Sequence, residues 1–193
     1  MLFGKGWTSN QMMKRVFTVS VFCLLAVLLT GCKKVRLRSQ LKALMETTIV
    51  LPEKITCVSN GEVFPMPDSL RIKPKLLVYI GPEECTTCRI SHFWDYQELF
   101  ELSENTDKFE MMILMADTTF VSIPLTRYLS DQDFPYPVYV DVGKRFLNDN
   151  PHIPDDARMH SFFLDNEGHP KFVGDPTASV QMLSAFKLAL RVE

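Results

Sequence analysis

Two cysteines, Cys85 and Cys88, are separated by two residues and follow an apolar run that is typical of a buried strand. The run extends from Leu76 to Ile80 and ends at Gly81-Pro82, and a long amphipathic segment begins at the cysteines. At the N-terminus of a helix, unpaired backbone N–H groups and the helix dipole favour an anion, so Cys85 should form a thiolate more readily than a free cysteine. Two intervening residues also let the sulfurs approach within bonding distance on the first helical turn. The spacing therefore predicts a dithiol whose disulfide can open and close.

Charged residues around the cysteines act on a thiolate in opposite directions. Glu83 and Glu84 precede Cys85 and repel negative charge, whereas Arg89 and His92 follow Cys88 within about one turn and attract it. We therefore expect Glu84, Arg89 and His92 to modulate the thiol, and its pKa to be only mildly lowered. The sequence also allows a plain surface position for His92, which is the more common situation on a helix.

The neighbouring residues argue against other uses of a cysteine pair. A c-type haem site needs a histidine directly after the second cysteine, and Arg89 occupies that position. A peroxiredoxin places threonine three residues before its single peroxidatic cysteine, whereas Pro82 stands three residues before Cys85. A structural disulfide that never turns over is the remaining alternative. Such a bond usually ties distant segments rather than one helical turn, so the position favours a reactive pair.

The N-terminus has the features of an export signal. Lys14 and Arg15 precede the uncharged apolar stretch Val16 to Leu29, which has fourteen residues, whereas a membrane span needs about 20. The stretch ends in Leu29-Thr30-Gly31-Cys32, which resembles a bacterial lipobox. This resemblance implies cleavage before Cys32 and a lipid on its sulfur.

One globular domain accounts for the rest of the chain. The 193 residues are 46% hydrophobic, which is enough to bury one full core without a second domain. We expect three parts: a lipoprotein-type signal peptide (1–31), a tether with a short basic helix (32–50) and the domain itself (51–193). Export would place the remaining cysteines in a compartment in which disulfides persist.

Charge is unevenly distributed along the chain. The formal net charge is −2, and all 23 acidic residues follow Cys32. Five bases stand next to the predicted lipid site with no acid before Glu46, and they indicate either a solvated tether helix or attraction to anionic head groups. The body beyond the tether is acidic, which argues against nucleic-acid binding. The five bases are Lys33, Lys34, Arg36, Arg38 and Lys42.

The order of the predicted elements indicates a mixed sheet covered on both faces. A short helix is expected from Val35 to Glu46, followed by a hairpin around the Asn60-Gly61 turn. The core strand leads into a helix that begins at Cys85 and fades by Glu104-Asn105, with its aromatic side chains in the core. A strand, a helix, a strand, a hairpin and a closing helix follow at 110–115, 123–129, 137–142, 161–173 and 178–191.

From Leu76 to Val192, about three fifths of the chain, the sequence resembles a thioredoxin fold. The resemblance rests on the strand, the Cys85-x-x-Cys88 motif, the helix, and the later segment FFLDNEGHPKFVG, which is similar to the family's Asp-x-x-Gly turn and final strand. In particular the chain resembles the membrane-tethered thioredoxin-like lipoproteins of the TlpA-like disulfide reductase kind. This implies an α/β fold of three layers, α/β/α, with a mixed central sheet. It also implies that Cys85 is the attacking thiol and Cys88 the buried resolving thiol.

The resemblance and the predicted lipid site together imply a lipid-anchored thiol-disulfide oxidoreductase of the bacterial cell envelope, with its domain facing the periplasm. Its partners would be exported proteins that carry disulfides, a membrane dithiol that donates electrons, and the membrane itself through the lipid on Cys32. No cofactor and no nucleic acid is expected. The alternative is a redox-inactive binding module that keeps the fold and uses the two cysteines as a staple.

Three positions depart from the family pattern. Glu84 stands where the family usually has tryptophan, so charge replaces a flat substrate-docking surface. Met159 falls where the family's cis-proline would be, and because a non-proline cis peptide costs about 2.5–4 kcal/mol we expect a trans bond and a looser substrate groove. Tyr79 occupies the strand position at which thioredoxins often keep a buried carboxylate. The dithiol remains, with Met159 as a further modulating residue.

A partial site for a soft metal is a less favoured hypothesis for the same cysteines. Reduced Cys85 and Cys88 with the imidazole of His160 would hold zinc or copper(I), with Cys57 or water completing the site. In the favoured alternative no metal binds, Met159 packs over the disulfide, and His160 faces solvent or bonds a backbone group. Cys57 is expected to be a buried apolar cysteine in a short strand.

Overall fold

The structure is a computed structural model that describes residues 17–18, 35–82, 84, 86–116 and 125–191. The chain divides into two compact units, Met1–Gln40 and Leu41–Glu193. Cys32 and all but two residues of the predicted signal peptide lie outside the described residues, so cleavage and lipidation stay predictions. In the part of the chain that the structure describes, no helix combines the length and the apolar character that crossing a membrane requires.

One mixed sheet of seven strands forms the centre of the second unit. The strands are β1 Ile55–Ser59, β2 Glu62–Pro65, β3 Lys75–Ile80, β4 Glu110–Ala116, β5 Val138–Asp141, β6 Ser161–Leu164 and β7 Pro170–Val173. In space they follow the order β2-β1-β5-β4-β3-β6-β7. The strands β5, β4 and β3 are parallel to one another, whereas the hairpins β1-β2 and β6-β7 pair antiparallel to them on either side.

Helices precede, connect and follow the strands. They are α1 (35–45), α2 Ser69–Ile72, α3 Thr86–Ser91, α4 Gln97–Thr106, α5 Leu125–Asp131, α6 Phe146–Asp149 and α7 Val180–Ala189. Shorter 3-10 helices span Phe93–Tyr96, Ala157–Met159 and Pro176–Ala178. The closing helix α7 begins where the sequence favours it, because the hydroxyl of Ser179 accepts the backbone N–H of Met182 and caps the helix.

Alternate residues of the central strands supply two apolar cores, one on each face of the sheet. On β3, Leu76, Val78 and Ile80 belong to the core that includes residues of α3, α4 and α7, whereas Leu77 and Tyr79 belong to the core on the opposite face. All positions of β3 are buried, which is why its sequence reads as a continuous apolar run. The α/β fold of three layers with a mixed central sheet is thereby confirmed.

Part of the predicted tether packs into the core on the Tyr79 face. Leu44 and Ile49 are buried there. The N–H of Ile49 donates to the carbonyl of Gly168 at 2.9 Å, and the N–H of Val50 donates to Oδ1 of Asn150 at 2.8 Å. The folded body therefore begins before the predicted boundary at residue 51.

The long helix predicted after the dithiol motif is interrupted. The 3-10 helix Phe93–Tyr96 separates α3 from α4. The N–H groups of His92 and Asp95 donate to carbonyls three residues back, at 3.1 and 3.0 Å. Because residues three apart eclipse in such a helix, its first and last rings both face the core, while Trp94 between them is exposed. The prediction that this aromatic stripe lies wholly in the core is wrong for Trp94.

The predicted hairpin around Asn60-Gly61 is confirmed. Both residues have positive φ angles, 51° and 76°, as a two-residue turn between antiparallel strands requires. Its strand β1 pairs with β5, and β2 lies outside β1 at the opposite side of the sheet from β6. The hairpin therefore extends the sheet and makes no direct pair with β3.

Candidate functional site

The dithiol motif lies where the central strand β3 passes into α3. β3 is flanked by β4 and β6 and ends at Ile80. α3 begins at Thr86, so Cys88 is its third residue. Cys85 and the side chain of Cys88 lie outside the described part of the structure, and the geometry of the two sulfurs therefore stays a prediction. On either side of Cys85 the structure has the strand and the helix that the sequence predicts.

Glu84 folds back over the loop that joins β3 to α3. Its Oε1 accepts the backbone N–H of Gly81 at 3.0 Å, and its own N–H donates to the carbonyl of Gly81 at 3.2 Å. A β-carbon added to Gly81 would lie 3.6 Å from Cε1 of Tyr79 and 3.8 Å from Oε1 of Glu84. The carboxylate thus closes a tight turn immediately before Cys85 and lies near the Tyr79 ring.

Each cation predicted to favour the thiolate has an acidic partner of its own. The Nε of Arg89 lies 3.4 Å from Oε2 of Glu84. The Nδ1 of His92 lies 3.0 Å from Oδ2 of Asp95, and both of those side chains are largely exposed. Because the carboxylate of Glu84 offsets the charge of Arg89, the field of Arg89 on the thiol is weaker than its charge alone indicates.

Tyr79 is the buried side chain below this loop. Burial raises the pKa of its phenol to about 12, and the carboxylates of Asp141 and Glu84 add to that effect. The phenol is therefore neutral at physiological pH. Its ring centroid lies 4.5 Å from that of Phe146 and 5.9 Å from that of His160. The position at which the family often keeps a carboxylate thus holds an uncharged hydroxyl.

Met159 and His160 immediately precede β6, the strand that pairs with β3. Met159 is buried at the end of a 3-10 turn, and no cis peptide bond occurs among the described residues, as the sequence predicts. The N–H of Tyr79 donates to the carbonyl of His160 at 2.9 Å. The Nε2 of His160 lies 2.9 Å from the carbonyl oxygen of Pro154, so it carries the proton and donates. The favoured expectation that His160 bonds a backbone group is therefore confirmed.

Two buried side-chain atoms at this edge of the sheet have no hydrogen-bond partner, and among the described residues they are the only ones. One is Nδ1 of His160, whose residue is 6% exposed. The other is Oδ1 of Asp141, which is 0% exposed and whose Oδ2 accepts the N–H of Phe146 at 2.7 Å. Asp141 ends β5, and because β5 and β3 point the same way it lies at the edge of the dithiol loop. Sequence reasoning missed this residue, although a carboxylate that ends a buried parallel strand is a usable signal.

Cys57 does not belong to this site. It is a free cysteine buried in β1, as predicted. β5 and β4 lie between β1 and β3, a separation of roughly 14 Å at the usual strand spacing. Burial raises the pKa of its thiol, and a hydrogen bond with Tyr139 partly offsets that rise. Cys57 is therefore too far along the sheet to complete a metal site at the dithiol.

The rest of the metal hypothesis is untested. Among the described residues, no three histidine, cysteine or acidic side chains are grouped so that they could hold an ion. Cys85 lies outside those residues, so a site formed by Cys85, Cys88 and His160 stays a prediction.

The fold is similar to that of solved structures. One from Chlorobium tepidum, provisionally assigned as the thiol:disulfide interchange protein DsbE, superposes with a TM-score of 0.50 at 14% identity over 75% of this chain and 98% of that one. The chain has a thioredoxin-like fold. At this identity the similarity establishes the fold alone.

Two further thioredoxin-like structures are more weakly similar. The thioredoxin domain of a thiol-disulfide oxidoreductase from Bacteroides vulgatus gives a TM-score of 0.46 at 13% identity, covering 75% of this chain and 98% of that one. An exposed lipoprotein thioredoxin from Streptococcus pneumoniae gives 0.44 at 16% identity, covering 72% and 98%. No protein-family model matches the chain, and no curated protein matches it significantly.

Proposed function

We propose that this protein is a thiol-disulfide oxidoreductase that exchanges or reduces disulfides of exported proteins through Cys85 and Cys88. The observation that supports this most directly is the position of Cys88 in the first turn of α3, immediately after the buried central strand of a thioredoxin-like fold. Backbone N–H groups at a helix start stabilise a thiolate, which is the reactive form of cysteine.

The proposed reaction has two exchange steps. The thiolate of Cys85 attacks one sulfur of the substrate disulfide, forms a mixed disulfide and expels the other substrate sulfur as a thiolate. The thiolate of Cys88 then attacks the Cys85 sulfur, closes the Cys85–Cys88 disulfide and releases the second substrate sulfur. Two electrons and two protons have then passed to the substrate. A dithiol donor at the membrane must return the two electrons before another turnover.

Four neighbouring residues are proposed to set the rate and access of this exchange. Glu84 holds the loop and compensates Arg89, and His92 has Asp95 beside it. Met159 supplies a buried apolar side chain where the family has a proline. These features favour a thiol that is only mildly activated. They also favour a charged surface around the dithiol in place of the flat aromatic surface that the family usually has.

We also propose that the domain is held at the bacterial membrane by a lipid on Cys32 and faces the periplasm. The support is the sequence Leu29-Thr30-Gly31-Cys32 after a short apolar stretch. Metabolic labelling with a fatty-acid analogue should modify the wild-type chain and leave Cys32→Ala unlabelled. Equal labelling of both proteins would remove the lipid anchor and leave the redox proposal standing.

Mixed-disulfide trapping tests the redox proposal. In the native host, Cys88→Ser should accumulate covalent adducts through Cys85 that a reductant releases, because the second exchange step is blocked. The matched controls are the double variant Cys85→Ser/Cys88→Ser, which should trap nothing, and Cys57→Ser, which should behave as wild type. If neither Cys88→Ser nor Cys85→Ser traps a partner, the Cys85–Cys88 bond is purely structural and the binding-module alternative holds.

A further inference from the structure

Helix α1 has an exposed apolar row along one side. Leu37, Leu41 and Met45 are spaced four residues apart, which places them on the same face of a helix, and each is 38% exposed. Leu44 of the same helix is buried and is the residue by which this helix contributes to the core. The apolar row is therefore partly exposed at the surface of the helix.

A row of bases runs beside the apolar row. Arg38 and Lys42 follow Leu37 and Leu41 by one residue each, and both are exposed. The amine of Lys42 comes no closer than 3.9 Å to Glu46, and its side chain is 80% exposed, so its charge is largely available to an external partner. Arg36 adds a third exposed base on the same helix.

The charge of this helix is opposite to that of the body that follows it. Residues 33–45 contain five bases and no acid, whereas residues 46–193 contain 13 bases and 23 acids. The exposed positions of α4 differ from those of α1, because all of them are polar or acidic. They are Gln97, Glu98, Glu101, Glu104, Asn105 and Thr106. A helix that exposes apolar side chains flanked by bases, and no acids, is complementary to a surface that has an anionic outer layer over an apolar interior.

We propose that α1 is an interfacial helix that lies on an anionic lipid surface, with its apolar row in the acyl boundary and its bases at the head groups. Long basic side chains can keep their charges at that level while their stems cover apolar surface. The binding depends neither on a lipid at Cys32 nor on the dithiol. Binding through α1 would hold the start of the folded body directly against the membrane. Without it, the body would be joined to the membrane only through a flexible tether.

Vesicle sedimentation tests this proposal with protein that carries no lipid. The protein is the predicted mature chain with Cys32→Ser, which retains the whole compact unit Leu41–Glu193. It should sediment with vesicles of phosphatidylcholine and phosphatidylglycerol, less with phosphatidylcholine alone, and less as salt is raised.

Two triple variants distinguish the contribution of the bases to vesicle binding from that of the apolar row. Partitioning should fall at least about tenfold in Arg36→Gln/Arg38→Gln/Lys42→Gln and in Leu37→Gln/Leu41→Gln/Met45→Gln, because both charge and apolar burial contribute. The matched control Lys54→Gln/Arg127→Gln/Lys144→Gln, which makes the same charge change elsewhere, should partition as the parent does. Equal melting temperatures show that the variants are folded.

A fluorescence experiment gives a second readout that does not rely on lost binding. The emission of Leu41→Trp should shift to the blue on addition of anionic vesicles, and brominated acyl chains should quench it. The proposal is overturned if the parent does not bind anionic vesicles, if either helix variant binds as the parent does, if the control loses binding equally, or if the indole stays in water.

Discussion

Glu84 links the loop before the dithiol to the helix that carries it. Its two carboxylate oxygens are used separately, one by the backbone N–H of Gly81 and the other by Arg89. The residue therefore lowers the positive field at the helix start and brings a negative charge of its own next to Cys85. Both effects disfavour a thiolate.

Removing that charge should activate the thiol. In Glu84→Gln the amide oxygen can still accept the N–H of Gly81, while Arg89 loses its partner and Cys85 loses a repelling neighbour. We expect the pKa of the Cys85 thiol to fall and alkylation at neutral pH to become faster, because a repelling negative charge is removed. The measurement is the iodoacetamide reaction rate against pH, with Glu62→Gln on β2 as the matched control. A slower reaction, or the same change in the control, would contradict this role.

Lys75 is a second charged residue in an unusual position, at the opposite end of β3 from the dithiol. It is 2% exposed, and its amine lies 3.3 Å from the carbonyl oxygen of Arg71. Burial lowers the pKa of this amine to about 8, and the negative charge of Asp165 offsets only part of that effect. The folded protein therefore carries a cost for a buried ammonium at neutral pH.

That cost should depend on pH with a definite sign. Between about pH 8 and the ordinary lysine value of 10.5 the folded state has released the proton and the unfolded state has not, so wild-type stability rises through that window. The stability advantage of Lys75→Met over wild type should be largest below pH 8 and shrink by on the order of 2 kcal/mol above it. Urea unfolding of the oxidised protein at several pH values measures this, with exposed Lys54→Met as the control. A difference that does not change with pH would contradict it.

At the scale of elements, the N-terminal segment is fastened to the body by contacts between residues far apart in the chain. Asn150 is fully buried and donates to the carbonyl of Val50 at 2.8 Å while its Oδ1 accepts the N–H of the same residue at 2.8 Å. Ile49 bonds the carbonyl of Gly168 in the β6–β7 turn. These contacts make residues 49–50 an added layer at the β6 side of the core rather than a free linker.

Gly168 tests this attachment, and Gly61 is its natural control. Both have positive φ, 85° and 76°, but a β-carbon on Gly168 would come within 2.7 Å of the carbonyl oxygen of Ile49, whereas nothing lies within 4 Å at Gly61. Gly61→Ala should therefore cost about 1 kcal/mol of backbone strain. Gly168→Ala should cost roughly 1–2 kcal/mol more, because the attached segment must also move. Equal losses in urea unfolding would show that the N-terminal segment does not press on this turn.

The elements that the sequence predicts correctly are those with local signals. Continuous apolar runs predicted β3 and β4, and the Asn60-Gly61 pair predicted the first hairpin, because these signals come from residues that are neighbours in the chain. The break after α3 carries no such signal, since it follows from how Phe93 and Tyr96 reach the core. The burial of Leu44 also escaped prediction, because its core contacts come from strands far along the chain.

The candidate site divides in the same way. The dithiol and its charged neighbours are contiguous in sequence and could be identified from spacing. Asp141 and His160 reach the same edge only through the parallel register of β3 to β5 and the return of β6. The sequence alone does not show that either residue has a buried atom without a hydrogen-bond partner, because this depends on the residues that surround the atom in the folded protein.

On the scale of the whole molecule, the parallel strands bring functional features to one edge of the sheet. The dithiol loop follows β3 there, and the buried Asp141 ends β5. The N-terminal segment meets the turn after β6, which adjoins the start of β3 through the pair Lys75–Leu164. The contact between Ile49 and Gly168 thus lies at the opposite end of these strands from the proposed chemistry, whereas Asn150, which holds Val50, bonds the carbonyl of Phe146 next to Asp141.

The measurement that tests the central proposal most directly is redox equilibration combined with turnover. The purified domain is equilibrated in dithiol buffers of graded potential, and reduction of a model protein disulfide is followed with a dithiol as electron source. We predict that the Cys85–Cys88 pair opens and closes reversibly, that turnover falls at least about a hundredfold in Cys85→Ser/Cys88→Ser, and that Cys57→Ser retains it. A Cys85–Cys88 bond that resists the buffers, or turnover unchanged in the double variant, would contradict the proposal.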